Sequence, residues 1–370
     1  MPAVAERSTR RDFLLSTSVL LAGTACMGRG GSSGVETFGP GFIGSPDQVP
    51  EDTVQIVASP SVLSQTGVDR FAQRTGVRVT VKRAGGSDDE LLLRLAAGGY
   101  GEMDLVVLGA DAVDYLVQSK QVEPLARSLV PGRTELQPPF SDPPYDSGAN
   151  HSVPVTYRIV GMAVADGAPL EEETWAETFR LAEVRPGSVA IPNARDDVIG
   201  AVLVSLGHAW DTDSNSELDE AAGRLHELRP VLRFLGSRLH GESPVAAGLP
   251  LVTLTRSQPY LRNTSGRRFV VPREGSAVDV RSYVIPAFAP HPVAAHAWLA
   301  SWLDPHVQAS AAFDLGIPLP LESTRPLLPS AHLENEAVCP PLAPLRRSVQ
   351  PNISENGRTL RDEIWAGLGA

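Results

Sequence analysis

Several groups in the 370-residue sequence have types and spacings that chemistry uses. Gly30-Gly31-Ser32-Ser33-Gly34 reproduces the Gly-x-Ser-x-Gly pattern of an activated serine, which works only on a strand-to-helix turn. Here the pattern lies in a Gly/Ser-rich tract, so no hydrolase is expected. Gly99-Tyr100-Gly101 lacks the third glycine of a dinucleotide loop, and no Gly-Lys-Ser/Thr phosphate loop occurs. Asp88-Asp89-Glu90 looks like a set of paired acids, but it stands where a helix should open, and acids there face the positive end of the helix dipole. The eight histidines form no His-Glu-x-x-His motif, and the nearest grouping, His291 with His296, falls off a common helical face. Cys26 and Cys339 are the only cysteines, so there is no disulfide framework. These patterns point away from an enzyme and imply no metal and no cofactor.

The N-terminus reads as an address. Thr9-Arg10-Arg11-Asp12-Phe13-Leu14 precedes a weakly apolar stretch from Leu14 to Ala25, and the order resembles the twin-arginine signal, with Arg10 and Arg11 as its mark. Residues 1–25 are therefore expected to be a signal peptide. Leu21-Ala22-Gly23-Thr24-Ala25 before Cys26, followed by Gly/Ser-rich sequence, resembles a lipoprotein cleavage site. That implies lipid attachment at Cys26 and a Gly/Ser/Pro tether over 26–51. Gly23 and Ala25 equally suit ordinary signal peptidase, which would release a periplasmic or extracellular protein. With lipid, the chain is anchored to the outer face of the cytoplasmic membrane. The apolar run is shorter than the ~20 residues a spanning helix needs, so membrane contact is expected only through the lipid.

A chain with 42% hydrophobic and 20% charged residues has the material for two domains with real cores. Its net charge of -11 argues against nucleic acid and anionic lipid as partners, since both need clustered Lys and Arg.

The elements that must hold any site alternate in type. Val54–Ala58 reads as a buried strand, Val62–Arg74 as an amphipathic helix, Val77–Lys82 as a strand, Asp88–Ala97 as a helix and Met103–Leu108 as a strand buried on both faces. A second α/β series follows: strand Ile159–Val164, helix Trp175–Ala182, strand Ser188–Ile191, then helices through Ala201–Gly207 and Ser216–Arg229. The chain returns through Phe269–Pro272 and Ser282–Pro286 to a helix over Val293–Leu303, and ends in a Pro-rich stretch and a helix near Thr359–Trp365. Strands alternating with helices predict mainly parallel sheets covered on both faces, with ligands at the carboxyl ends of the strands.

An ordered series of segments resembles a known family. It comprises Gly101-Glu102-Met103-Asp104-Leu105-Val106-Val107, Ser152-Val153-Pro154, Thr174-Trp175, Val198-Ile199-Gly200-Ala201 with Ser205-Leu206-Gly207, Val270-Val271-Pro272-Arg273-Glu274-Gly275, and Ile285-Pro286 through Ala294-Ala295-His296-Ala297-Trp298 to Leu303-Asp304-Pro305. The series is similar to extracellular solute-binding proteins of ABC importers, of the spermidine/putrescine-binding type. The resemblance implies an α/β, two-lobed periplasmic-binding-protein type II fold with a ligand cleft between the lobes. It places lobe 1 at 52–157 plus 276–335, lobe 2 at 158–275, and a C-terminal segment, 336–370, packing on both. Crossover strands are implied near Pro154–Val164 and Val270–Ile285. The implied partners are a small solute, a polyamine by family, together with an ABC permease and its ATPase, and the protein is expected to be a monomer.

The residues carried over to the cleft depart from polyamine chemistry, in which aromatic walls hold the methylene chain and acids pair with each ammonium. Ser59 replaces the family's first tryptophan, Gly109 and Asp111 replace its Ser and Tyr, and Thr255 replaces a second tryptophan. Of an Asp-x-x-Glu pair only Asp197 survives, the first acid aligning with Ala194, and Ile317 stands for a tyrosine. Trp-x-Asp has become Asp279-Val280-Arg281, which puts a guanidinium where a carboxylate met ammonium. Arg158 and Arg256 also fall at or beside the cleft. An ammonium ~6 Å from an arginine is repelled by ~3 kcal/mol at an effective dielectric constant near 20. Unless Asp111, Asp197 and Asp279 neutralise these arginines, the cleft favours an anionic or zwitterionic solute: a carboxylate, an amino acid or a phosphate compound. The resemblance makes a polyamine-type importer component the first expectation; the alternatives are this anionic or zwitterionic solute and a degenerate or sensory domain in which the ion pairs leave no tight ligand.

Overall fold

The computed structural model describes residues 50–83, 87–97, 103–136, 138–235, 250–257, 266–287 and 289–369. These lie in one compact unit, Gly44–Ala370. Arg10, Arg11, Cys26 and the whole expected signal peptide lie outside the described residues.

The opening β-α-β-α-β pattern is present as β1 (Thr53–Ala58), α1 (Gln65–Thr75), β2 (Arg78–Arg83), α2 (Asp88–Ala96) and β3 (Leu105–Gly109), followed by α3 (Ala110–Gln118). Helix α1 starts three residues later than its apolar spacing predicts, because Pro60–Val62 forms a separate 3₁₀ turn. The hydroxyl of Ser64 then caps the helix by accepting from the Gly67 amide at 3.2 Å. Gly76, at φ 75°, closes it in the left-handed conformation that glycine adopts without strain.

The second lobe contains α4 (Trp175–Val184), β5 (Val189–Pro192), α5 (Arg195–Ser205), α6 (Asn215–Leu228), β6 (Arg233–Leu235), β7 (Val252–Arg256) and β8 (Arg267–Val270). Two strands serve both lobes: β4 (Ser152–Ala165) and β9 (Val278–Val284). The strand order is β2-β1-β3-β9-β4-β7-β5-β6, with β8 also beside β4. The first part of β4, Ser152–Ile159, runs antiparallel to β9, while Val160–Val164 pairs with β7 and Met162–Ala165 with β8. The outer strands of each lobe pair in parallel, as alternation predicts. Around β4 and β9 the pairing is antiparallel, because those strands pass from one lobe to the other rather than returning through a local helix.

Alternate residues of β1 and β3 enter different cores. Val54, Ile56, Leu105 and Val107 join Phe71, Trp298 and Trp302, whereas Val57, Val106 and Leu108 meet Leu91, Leu95 and Leu116. The second lobe packs around Trp175, Phe179, Ile191, Val202, Trp210 and Leu225. The chain continues through α7 (Pro292–Trp302), α8 (Pro305–Leu315), the short α9 (Ser330–Leu333) and α10 (Leu342–Arg347) to α11 (Glu355–Gly367). Ala337 and Leu345 of this tail sit in the first lobe's core, while Leu360, Ile364 and Trp365 pack on the second lobe's core. Between them Val349 bridges Ala277 in parallel, its amide donating to the Ser276 carbonyl at 2.8 Å. Among the described residues no helix is long and apolar enough to cross a membrane.

His296 of α7 gives the fold a pH dependence. Its Nε2 accepts from the Ala126 amide at 3.0 Å and its Nδ1 donates to the Pro292 carbonyl at 2.7 Å, which requires the neutral ring. Burial lowers its pKa below the usual value. The unfolded chain therefore binds the proton more readily. This contribution to stability is full above the unfolded pKa of about 6.5, and it is lost as pH falls through that value toward the folded one. Urea midpoints should drop between pH 7.5 and 5 in the wild type, with a flatter response in His296→Gln. Equal slopes would remove His296 from the explanation.

Candidate functional site

Strand β9 alternates buried and half-buried residues, so Asp279 and Arg281 project from one face, two positions and roughly 7 Å apart. Arg281 lies opposite Gly109 of β3 and Thr156 of β4. Its guanidinium meets Asp88 in a two-pronged pair, Nη1 to Oδ2 at 3.0 Å and Nη2 to Oδ1 at 2.8 Å. Asp88 opens α2, and its Oδ2 also accepts from the Gly109 amide at 3.0 Å. Gly109 admits this approach because it has no side chain: a Cβ there would stand 3.0 Å from Asp88 Oδ2 and 3.5 Å from Arg281 Nη1.

Two residues along β9, Asp279 Oδ2 accepts from Arg158 at 2.5 Å and from Arg256 Nη1 at 3.0 Å. Arg158 is its cross-strand partner on β4. Arg256, at the end of β7, also grips Asp197 of α5, Nε to Oδ2 and Nη2 to Oδ1, both at 2.8 Å. The Asp197 side chain is only 8% exposed, against 35% for Arg256 and 55% for Arg158. Burial works against the Arg256 charge, but the two aspartates outweigh it and raise the guanidinium's pKa above its ordinary value.

The structure thus joins Arg158, Asp197, Arg256 and Asp279 in one network, with the Arg281–Asp88 pair beside it. The condition attached to the arginines is met by Asp197 and Asp279, but not by Asp111. Asp111 is exposed in the first turn of α3 and takes no ion pair among the described residues. Asp88 takes the third place. Its position at a helix start signalled a dipole role, and nothing in the local sequence signals a partner 193 residues away. Thr255 and Arg256 lie on strand β7 rather than in a loop. Thr255 pairs in register with Gly161 and points away from the network by the strand's alternation. Ser59 is the N-cap of the 3₁₀ turn, accepting from the Ser61 amide at 3.4 Å. Ile317 is buried beside Tyr157, Thr324 and Cys339. The Cys339 thiol is buried and forms no disulfide among the described residues.

Comparison with known proteins agrees with this architecture. Residues 67–331 match the sequence pattern of a family described as bacterial extracellular solute-binding protein. The spermidine/putrescine-binding periplasmic protein of Escherichia coli is 21% identical over 307 residues, covering 82% of this chain and 87% of that protein. The putrescine/cadaverine-binding protein of Pseudomonas aeruginosa is 21% identical over 322 residues, covering 83% and 90%. Among solved structures, a spermidine/putrescine ABC transporter substrate-binding protein from Streptococcus pneumoniae superposes with a TM-score of 0.76 at 20% identity, over 86% of this chain and 99% of that one. A structure titled Atu4243-GABA receptor gives 0.63 at 17% identity, over 86% and 98%. With two lobes and strands passing between them, this chain belongs to the family of bacterial extracellular solute-binding proteins.

Proposed function

We propose that the protein is the solute-binding component of an ABC importer, that it closes on a small solute between its lobes, and that the solute is zwitterionic. The observation that carries this reading is the pairing of all three arginines with carboxylates, Arg281 with Asp88, Arg256 with Asp197, and Arg158 with an Asp279 that it shares with Arg256. A purely anionic solute must take a guanidinium from an aspartate already bound to it, which exchanges one pair for another and strands the displaced acid. A zwitterion conserves the pairs: its carboxylate meets Arg281 or Arg158 while its ammonium meets the released Asp88, Asp279 or the exposed Asp111. Charges of opposite sign roughly 7 Å apart on β9 suit an amine and an acid separated by a few methylenes. The family likeness to a protein titled as a GABA receptor supports this class. In the same reading the chain is exported through Arg10 and Arg11 and held outside the membrane by lipid on Cys26.

A polyamine is the second reading. Relatives named for spermidine and putrescine support it, as does the charge count of four aspartates, 88, 111, 197 and 279, against three arginines, 158, 256 and 281, leaving one negative charge. The two readings separate in a thermal-shift screen. A solute at 100 times its Kd stabilises the folded form by ~2.7 kcal/mol, so 4-aminobutyrate and related zwitterions should raise the melting temperature while spermidine and succinate leave it unchanged. A shift with spermidine alone would select the polyamine, and no shift with any class would leave a domain without transport.

A further inference from the structure

The C-terminal helix grips the start of the helix that carries Asp197. Three of its residues do so, on one face of α11. Trp365 donates from Nε1 to the Asn193 side-chain oxygen at 3.2 Å, Asp362 accepts from Arg195 Nη1, and Arg361 Nη1 lies 3.9 Å from Asp196 Oδ1. Arg195 in turn holds Asp196 with two bonds, at 3.0 and 2.9 Å. The contacts therefore cover 193, 195 and 196, the residues leading directly into Asp197.

Two features make this more than packing. Helix α5 begins at Ala194, which offers no side-chain cap, so its first turn is not fixed by the local device that usually sets a helix start. Arg361 is wholly buried, donates from Nη2 to the Trp210 carbonyl at 2.7 Å, and finds no hydrogen-bond partner for Nε and Nη1 among the described residues. A buried guanidinium is costly unless charge opposes it; burial holds the Arg361 pKa below its ordinary value, and Asp196, Asp211 and Asp213 offset part of that cost. The helix is also seated closely: a Cβ on Gly357 would fall 1.9 Å from Asp213 Oδ1.

We infer that Arg361, Asp362 and Trp365 of the C-terminal helix are positioning residues for the solute site, fixing the first turn of α5 and through it the Asp197 carboxylate against Arg256. The inference rests on the reading that Asp197 belongs to that site. The tail that packs on both lobes thereby sets the geometry of the Asp197 carboxylate.

A double-mutant cycle tests it without a solute. Asp197→Asn is measured in the wild-type chain and in an Asp362→Asn/Trp365→Phe background, which removes two contacts at the helix surface and leaves the buried Arg361 in place. If the C-terminal helix positions Asp197, the fall in unfolding midpoint caused by Asp197→Asn should be at most half as large in that background. Falls of equal size in both backgrounds overturn the inference, since contacts that only add stability are additive. Arg361→Met, close in volume and uncharged, should shrink the fall caused by Asp197→Asn in the same way. Titration with 4-aminobutyrate is read in parallel. A loss of about threefold to thirtyfold in affinity in the Asp362→Asn/Trp365→Phe chain supports the positioning role, and unchanged affinity opposes it. Coupling without binding of this probe would uphold the inference and reject the zwitterion, whereas binding without coupling would do the reverse.

Discussion

Replacing Asp197 by alanine should cost about 2–3 kcal/mol of folding stability. Asp197 is buried, and it supplies both oxygens to Arg256 at 2.8 Å. Its loss removes two charge-assisted hydrogen bonds and leaves the guanidinium, among the described residues, with its bond to Asp279. The figure stays below the 3–5 kcal/mol of a fully buried pair because the Arg256 side chain is 35% exposed and water partly replaces the lost partner. A smaller part of the cost comes from α5 itself, where Ala194 gives no cap and Asp196 and Asp197 are the acids of the first turn that face the dipole. Arg158→Ala is the comparison. It removes an ion pair of which one member is 55% exposed, and should cost under ~1 kcal/mol. Urea unfolding of the two variants measures the difference, and similar small losses in both would show that the Asp197–Arg256 pair acts as an ordinary surface pair.

The second large effect concerns the packing behind that helix. Gly200 lies inside α5, where alanine would ordinarily gain ~1 kcal/mol from helix propensity. Here an added Cβ would stand 2.1 Å from Trp210 Cε2 and 2.4 Å from Nε1, because the indole occupies the space beside the glycine. Trp210 cannot move aside easily. It is 3% exposed, packs on Trp175 with ring centroids 6.1 Å apart, and its carbonyl holds Arg361. Gly200→Ala should therefore lose about 2–3 kcal/mol despite its better propensity. Gly223→Ala in α6 is the control, since a Cβ there meets nothing within 4 Å and should stabilise by up to ~1 kcal/mol. Opposite signs for the two substitutions in thermal or urea unfolding are expected, and the same sign would discount the indole contact.

Much of this architecture is legible in the residues because it rests on local periodicity. The alternation of short apolar runs with amphipathic stretches locates β1, α1, β2, α2 and β3, and the buried run near Val106 needs no partner to be recognised. Elements held by distant partners are harder to read. Strand β7 reads as Val-Thr-Leu-Thr-Arg, an alternation that suits a strand, but nothing in so short a run shows that it lies between β4 and β5. Helix α3 opens at Gly109 without a side-chain cap and carries no local start signal beyond Asp111. The antiparallel middle of the sheet depends on where β4 and β9 travel, which no short window contains.

The same division holds at the candidate site. Asp197, Arg256, Asp279 and Arg158 can be proposed as cleft residues because flanking motifs place them, and the structure brings these four together. What cannot be read from spacing is which acid faces which arginine. Asp88 meets Arg281 only because β3 and β9 are neighbours and Gly109 leaves room between them. The chemical consequence is large: three guanidiniums read one by one suggest an anion clamp, whereas the same groups paired with aspartates describe a site of balanced, alternating charge.

Calorimetric titration of the wild-type protein and Arg281→Ala with 4-aminobutyrate and with spermidine tests the central claim most directly. The zwitterion should bind the wild type and lose about tenfold or more in affinity in Arg281→Ala, since a charge-assisted bond of about 1.5–3 kcal/mol is removed. Tight binding of spermidine, unchanged by Arg281→Ala, would contradict it.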